Sequence, residues 1–174
     1  MSSINYDLKK IKGVVFDVDG VLSPSTIPTS PEGEPLRMVN IKDGYALQLA
    51  VKCGLEIAII TGATSRGVAA RYSALGIKEI HQGASRKVEV LTDWMARHGL
   101  TPDEVAFVGD DVPDFEPMQC VGLSVAPADS AIDILQHCRY VSPCNGGYGV
   151  ARDLLEQILR AQDHWMTTEK AFGW

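Results

Sequence analysis

The chain lacks paired cysteines, long apolar runs and any excess of positive charge. Its four cysteines, at 53, 120, 138 and 144, form no CxxC pair and lie at no zinc-finger spacing from a histidine. That excludes a disulfide framework and a Cys/His zinc site, and leaves reduced thiols used as small core residues. The longest apolar runs, such as Ile57–Ile60, are far too short to span a bilayer. The first residues, MSSINYDLKKIKG, hold no apolar core of signal-peptide length, so a reducing cytoplasm is the expected compartment. With 16 basic against 22 acidic residues the net charge is −6. The acids are spread along the chain, which argues against nucleic acid and anionic membranes as partners.

At 174 residues one domain of about 100–200 residues is expected. Short, β-branched, non-alternating runs at 13–18, 55–60, 77–81, 105–108, 122–126 and 139–142 read as strands buried on both faces of a parallel sheet. Between them lie helical patterns at 43–53, 64–75, 85–98, 129–138 and 149–163, with Asp43 as a cap for the first and Gly54, Gly76 and Gly99 as stops. This rhythm predicts βαβ units and a doubly wound α/β fold with a mainly parallel sheet. Residues 21–42 break it. They hold four prolines and no helical period, with PEGE (31–34) as a turn. They are read as a β-hairpin flap after the first strand, too short for a cap domain.

Ligands of open parallel sheets bind beyond the carboxyl ends of the strands. There the sequence places Asp17-Val-Asp19-Gly20, Thr61-Gly62 and Gly109-Asp110-Asp111-Val112-Pro113-Asp114, with Lys87 opening the helix after the third strand. Five converging carboxylates need more than one lysine as counterion. Oxygen donors without His or Cys point to a hard cation, with Mg²⁺ expected. A carboxylate nucleophile, a hydroxyl, loop amides and a fixed ammonium are what phosphoryl transfer requires. An EF-hand is excluded, because its twelfth position counted from Asp17 is Pro28 rather than Glu. No GxGxxG follows the first strand, which excludes a Rossmann dinucleotide site. In a phosphate-receiving signalling domain the acidic pair comes first and the lysine last, whereas here the GDD cluster follows the lysine.

In this order DVDGV, TG, Lys87 and GDDVPD resemble the four motifs of the haloacid dehalogenase superfamily of phosphatases. VNIKDGYALQLAVKCGLEIAIITG (39–62), APADSA (126–131) and GGYGVARDLLEQIL (146–159) extend the resemblance along almost the whole chain, to the capless 3-deoxy-D-manno-octulosonate 8-phosphate phosphatases. The resemblance implies a soluble phosphatase acting on a small-molecule keto-deoxy sugar acid phosphate. Asp17 would be the nucleophile and Asp19 the general acid, free to carry a proton. Asp17, Asp110 and the backbone carbonyl of Asp19 would hold Mg²⁺. Thr61, Gly62 and Lys87 would bind phosphate, and Asp114, with Asp111 as a possible partner in the role, would orient Lys87 or a metal-bound water.

Capless relatives are homotetramers in which a neighbour closes the site. The resemblance therefore implies a homotetramer, with apolar Ile27, Leu36, Met38 and Val39 of the flap at an interface. Arg71 aligns with an arginine that relatives lend from the neighbouring subunit to the substrate. Packing of its stem on the sheet's flank is the other reading, and Arg66 is read as a solvated charge. GGYG (146–149) is read as a tight turn near the mouth. The sequence departs from the pattern at Ala63, where octulosonate phosphatases have Arg and nonulosonate 9-phosphate phosphatases have Glu, so both substrates stay open. The tail, 164–174, is read either as a frayed end or as placing Phe172 and Trp174 in a neighbour's groove.

Overall fold

The apolar runs build six strands: β1 (Gly13–Phe16), β2 (Glu56–Ile60), β3 (Glu79–His81), β4 (Val105–Val108), β5 (Leu123–Ala126) and β6 (Tyr140–Val141). In the computed structural model, which describes residues 4–167 and 169–173, they form one parallel sheet in the order β3-β2-β1-β4-β5-β6. Val14 pairs with Ile57 on one side and Ala106 on the other. Five helices fall in the expected segments: α1 (Ile41–Lys52), α2 (Arg66–Ser73), α3 (Lys87–His98), α5 (Ile132–His137) and α6 (Val150–Ala161). A short sixth, α4 (Phe115–Gln119), was not anticipated by the periodicity.

The two-residue period of the strands divides their side chains between two cores. Val14, Phe16, Ile57, Ile59, Ala106 and Val108 face α1, α2 and α6. Val15, Ala58, Ile60, Val105 and Phe107 face α3, α4 and α5. Both faces are therefore covered, which is why the strands read as continuous apolar runs. Trp94, Phe16 and Phe107 are among the largest fully buried side chains, each stabilising by about 1.5–3 kcal/mol through burial.

The first helix is capped by Asn40, not by Asp43. The Asn40 side chain accepts the Lys42 and Asp43 N–H groups at 2.9 and 3.3 Å, so Asp43 lies one turn inside the helix. There it is buried and accepts the Arg152 N–H at 2.6 Å, tying α1 to the start of α6. Burial pushes its carboxyl up to about 6, against the hydrogen bonds from the Arg152 and Gly149 amides.

The flap is a hairpin in miniature. It has one antiparallel bridge, Thr29 to Pro35, with Ser30 N–H on Glu34 O and Leu36 N–H on Pro28 O, both at 2.8 Å. Prolines 24, 28, 31 and 35 remove the donors a longer ladder needs. The tail folds back onto its own chain: Trp165 is buried edge-on to Tyr45 at 5.9 Å, with the Arg152 guanidinium 4.4 Å from its ring centre. The Tyr45 hydroxyl donates to the Ala171 carbonyl, and Lys170 Nζ to the Lys52 carbonyl at 2.8 Å. Phe172 is 71% exposed, and Trp174 lies outside the described residues. All four cysteines are free and partly buried. Among the described residues no helix is long and apolar enough to cross a membrane.

Candidate active site

The strand order reverses direction between β1 and β4, and the expected residues gather at their carboxyl ends. Three of them stand one step past a strand and are still held by its ladder. Asp17 N–H donates to Val108 O at 3.0 Å, Thr61 N–H to His81 O at 2.9 Å and Gly109 N–H to Val125 O at 3.1 Å. Lys87, the first residue of α3, reaches between two carboxylates: its Nζ lies 2.8 Å from Asp17 Oδ2 and 2.7 Å from Asp114 Oδ1. All three side chains are buried. The other Asp114 oxygen accepts the Asp110 N–H at 3.1 Å. Carboxylate oxygens of Asp17, Asp110 and Asp114 all lie within 4.8 Å of one another.

Two glycines let the carboxylates come this close. At Gly20 the backbone is left-handed (φ +84°), and a Cβ there would stand 1.9 Å from Asp110 Oδ2. At Gly109 a Cβ would stand 2.3 Å from that of Asp114. One ammonium faces three carboxylates, and the imbalance is felt in their acidity. Burial, then the Asp114 charge, pushes Asp17 up to about 6 against the pull of Lys87. Burial, then the charges of Asp114 and Asp17, pushes Asp110 up to about 7. Burial opposes the charge on Lys87, but Asp114 and Asp17 outweigh it and raise its pKa.

The donor set fits a hard divalent cation. Asp17 Oδ1 is buried without a hydrogen-bond partner among the described residues. The Asp110 carboxylate accepts no hydrogen bond among the described residues. Both Asp114 oxygens are already occupied. One free oxygen of Asp17 and the free carboxylate of Asp110, in an all-oxygen site with surplus negative charge, suit Mg²⁺.

Asp17, Asp19, Thr61, Gly62 and Lys87 line a common cavity of about 360 Å³, with Ala63 and Ser85 on its wall. Asp111 stands apart from this group. Its exposed side chain caps the turn at Val112 N, at 2.8 Å, while its carbonyl accepts the Asp114 N–H at 2.8 Å and its own N–H reaches Asp114 Oδ2 at 3.5 Å. Among the described residues its carboxylate makes no hydrogen bond to Lys87, which Asp114 holds.

Asp19 is not free in this conformation. Its two oxygens accept Nε and Nη2 of Arg37, both at 2.7 Å. The Arg37 side chain is 10% exposed and that of Asp19 39%. Sequence reasoning missed Arg37, which sits in the aperiodic flap with no strand end to mark it.

Arg71 stands with Arg37, Val39, Val68 and Tyr72 around a second cavity of about 300 Å³, between the flap and α2. Its guanidinium lies over Gly44 of its own chain, and its buried Nε and Nη2 have no hydrogen-bond partner among the described residues. Arg66 is exposed, as expected. Within GGYG, Gly146 packs on the Gly20 carbonyl, and Gly147 N–H donates to Val21 O at 2.8 Å. That loop is a tight turn braced against the base of the flap.

Residues 63–154 match the model of the haloacid dehalogenase-like hydrolases. The 3-deoxy-D-manno-octulosonate 8-phosphate phosphatase KdsC of Escherichia coli K12 is 38% identical over 88% of this chain and 82% of its own length. The crystal structure of the Moraxella catarrhalis octulosonate 8-phosphate phosphatase, in complex with magnesium, phosphate and KDO, superposes with a TM-score of 0.86 at 32% identity, covering 90% of each chain. The cobalt-bound form of the corresponding phosphatase from Haemophilus influenzae gives 0.88 at 30% identity, covering 95% of this chain and 98% of that one. The match to the family model over more than half of the chain, together with 38% identity to a relative over most of both lengths, shows that the chain belongs to the haloacid dehalogenase-like hydrolases.

Proposed function

We propose that the chain is a Mg²⁺-dependent phosphatase that hydrolyses 3-deoxy-D-manno-octulosonate 8-phosphate. The observation that supports this most is Lys87 bridging Asp17 and Asp114, with the Asp110 carboxylate pressed against Gly20 beside them. It joins a nucleophile, a fixed positive charge and a cation site at the wall of one cavity. The relatives supply the substrate class. Ala63 provides neither the arginine of octulosonate phosphatases nor the glutamate of nonulosonate 9-phosphate phosphatases, so the eight-carbon choice rests on overall similarity.

The chemistry follows from the residues. The substrate phosphate enters beside Asp17, held by the Thr61 hydroxyl, the loop amides after it and the Lys87 ammonium. Asp17 attacks phosphorus and the bond to the sugar oxygen breaks, while Asp19 gives that oxygen its proton. Water then attacks the aspartyl-phosphate, Asp19 takes back a proton, and orthophosphate leaves. Asp114 keeps Lys87 aimed at the reacting group. Asp17, Asp110 and the carbonyl of Asp19 would hold Mg²⁺, which supplies positive charge against the phosphoryl oxygens when bound.

Residues 1–174 work as one domain without a cap. The flap is too small to enclose a sugar acid, so closure falls to a homotetramer in the cytoplasm. Exposed Leu36, Met38 and Val39 on its second arm, with exposed Ile41 at the start of α1, support an interface there. Ile27 is only partly exposed. A turnover screen of keto-sugar acid phosphates is the test. Preference for the eight-carbon ester supports the reading, and preference for a nine-carbon ester would transfer the chain to the nonulosonate class.

A further inference from the structure

We infer that Arg37 is a specificity-determining residue: the flap arginine holds Asp19 in reserve until a carboxylate on the substrate draws it away. The inference rests on the proposed keto-acid substrate and concerns how that substrate is told from other phosphate esters.

Three observations carry it. First, the fork from Arg37 uses both Asp19 oxygens, leaving neither free to meet a leaving oxygen. Second, the pair stands where two cavities meet. Asp19 lines the phosphate-binding cavity, and Arg37 lines the one between the flap and α2. Third, that second cavity is equipped for an anion. Arg71 brings two buried nitrogens without partners among the described residues to the same wall, and the acidic groups nearby are Asp19, already paired, exposed Glu34, and buried Asp43 behind Tyr72, which accepts the Arg152 amide. The flap itself is weakly tied, by one bridge and a few backbone bonds, so its arginine can turn with little rearrangement of the core.

An octulosonate 8-phosphate carries its carboxylate at carbon 1 and its phosphate at carbon 8. With the phosphate beside Asp17, the acid end extends toward the flap. Arg37 then exchanges one carboxylate for another, keeping the same number of charge-assisted hydrogen bonds. A phosphate ester without a carboxylate must break the fork with nothing in return. Binding is thereby coupled to release of Asp19, and selectivity arises from a contact made only by the right substrate. One charge-assisted pair lost without replacement corresponds to about tenfold to hundredfold discrimination.

The test compares kcat/KM for octulosonate 8-phosphate and for a neutral hexose 6-phosphate in the wild-type chain, Arg37→Met and Arg37→Lys, with thermal melting of each. The ratio of the two values is expected to fall about tenfold to hundredfold in Arg37→Met and to recover in part in Arg37→Lys, which keeps the charge but not the fork. A ratio within twofold of wild type in Arg37→Met, or equal losses on both esters, would overturn the inference while leaving the phosphatase reading intact. A wild-type chain that does not turn over octulosonate 8-phosphate would instead remove that reading, and this inference with it.

Discussion

Replacing Gly20 with alanine adds one methyl group at the most crowded point of the site. The new Cβ would stand 1.9 Å from Asp110 Oδ2, where ordinary contact begins at 3.4 Å. Asp110 must therefore retreat by about 1.5 Å or the loop must shift by as much; a misplacement of about 1 Å near the chemistry can cost on the order of a hundredfold in rate. The backbone adds a second, smaller cost. Holding an L-residue at φ +84° costs about 1–2 kcal/mol, which lowers Tm by roughly 2–8 °C in a domain of this size. The assay is phosphate release against Mg²⁺ concentration, with Tm measured in parallel. The expected result is a kcat/KM lowered about a hundredfold and a higher Mg²⁺ requirement in a chain that still melts cooperatively. Wild-type Mg²⁺ dependence and rate would refute the reasoning, since Asp110 would then not need its position against Gly20.

Three further outcomes are expected. Lys87→Met leaves Asp17 and Asp114 buried without their shared cation, costing about 3–5 kcal/mol; Tm should fall by at least about 6 °C and recover in part with Mg²⁺, and an unchanged Tm would contradict the bridge. Without metal, Asp17, Asp43 and Asp110 have carboxyl pKa values raised to about 6, about 6 and about 7 in the folded chain, so the folded state binds the extra protons. Stability should then fall as pH rises from about 4 to 7, and Mg²⁺ should flatten the part due to Asp17 and Asp110. Glu79, held down to about 2 chiefly by hydrogen bonds from Arg97, acts the other way below its ordinary value of 4.5, as do Glu104 and Glu156, so they oppose the trend only at the acid edge of that window. A melting curve in EDTA that improves toward pH 7 would contradict this. Finally, light scattering at micromolar concentration should give four copies, and Val39→Glu should weaken their association; a stable wild-type monomer would remove the borrowed closure.

The strands were legible because burial on both faces makes them continuous apolar runs, and the polar residues that end them are the ones brought together in space. Asp17, Thr61, Lys87, Asp110 and Asp114 could be collected by position alone. What escaped lay where no period operates. Arg37 is set by a proline-rich flap whose path depends on packing against the β1 turn. The role of Asp43 changed because Asn40, three residues earlier, offers a better cap, freeing the aspartate to reach the start of α6. Helix α4 is one short turn and a half around Pro117, too brief for a 3.6-residue pattern to register. Trp165 finds Tyr45 and Arg152 within its own chain, contacts set by tertiary proximity rather than by sequence spacing.

The central claim is that Asp17 performs nucleophilic attack on phosphorus. Phosphate release from octulosonate 8-phosphate by Asp17→Asn, with folding verified by melting, tests it most directly. Turnover at the background rate is expected, because the amide cannot form the aspartyl-phosphate; turnover within tenfold of wild type would contradict nucleophilic attack by Asp17.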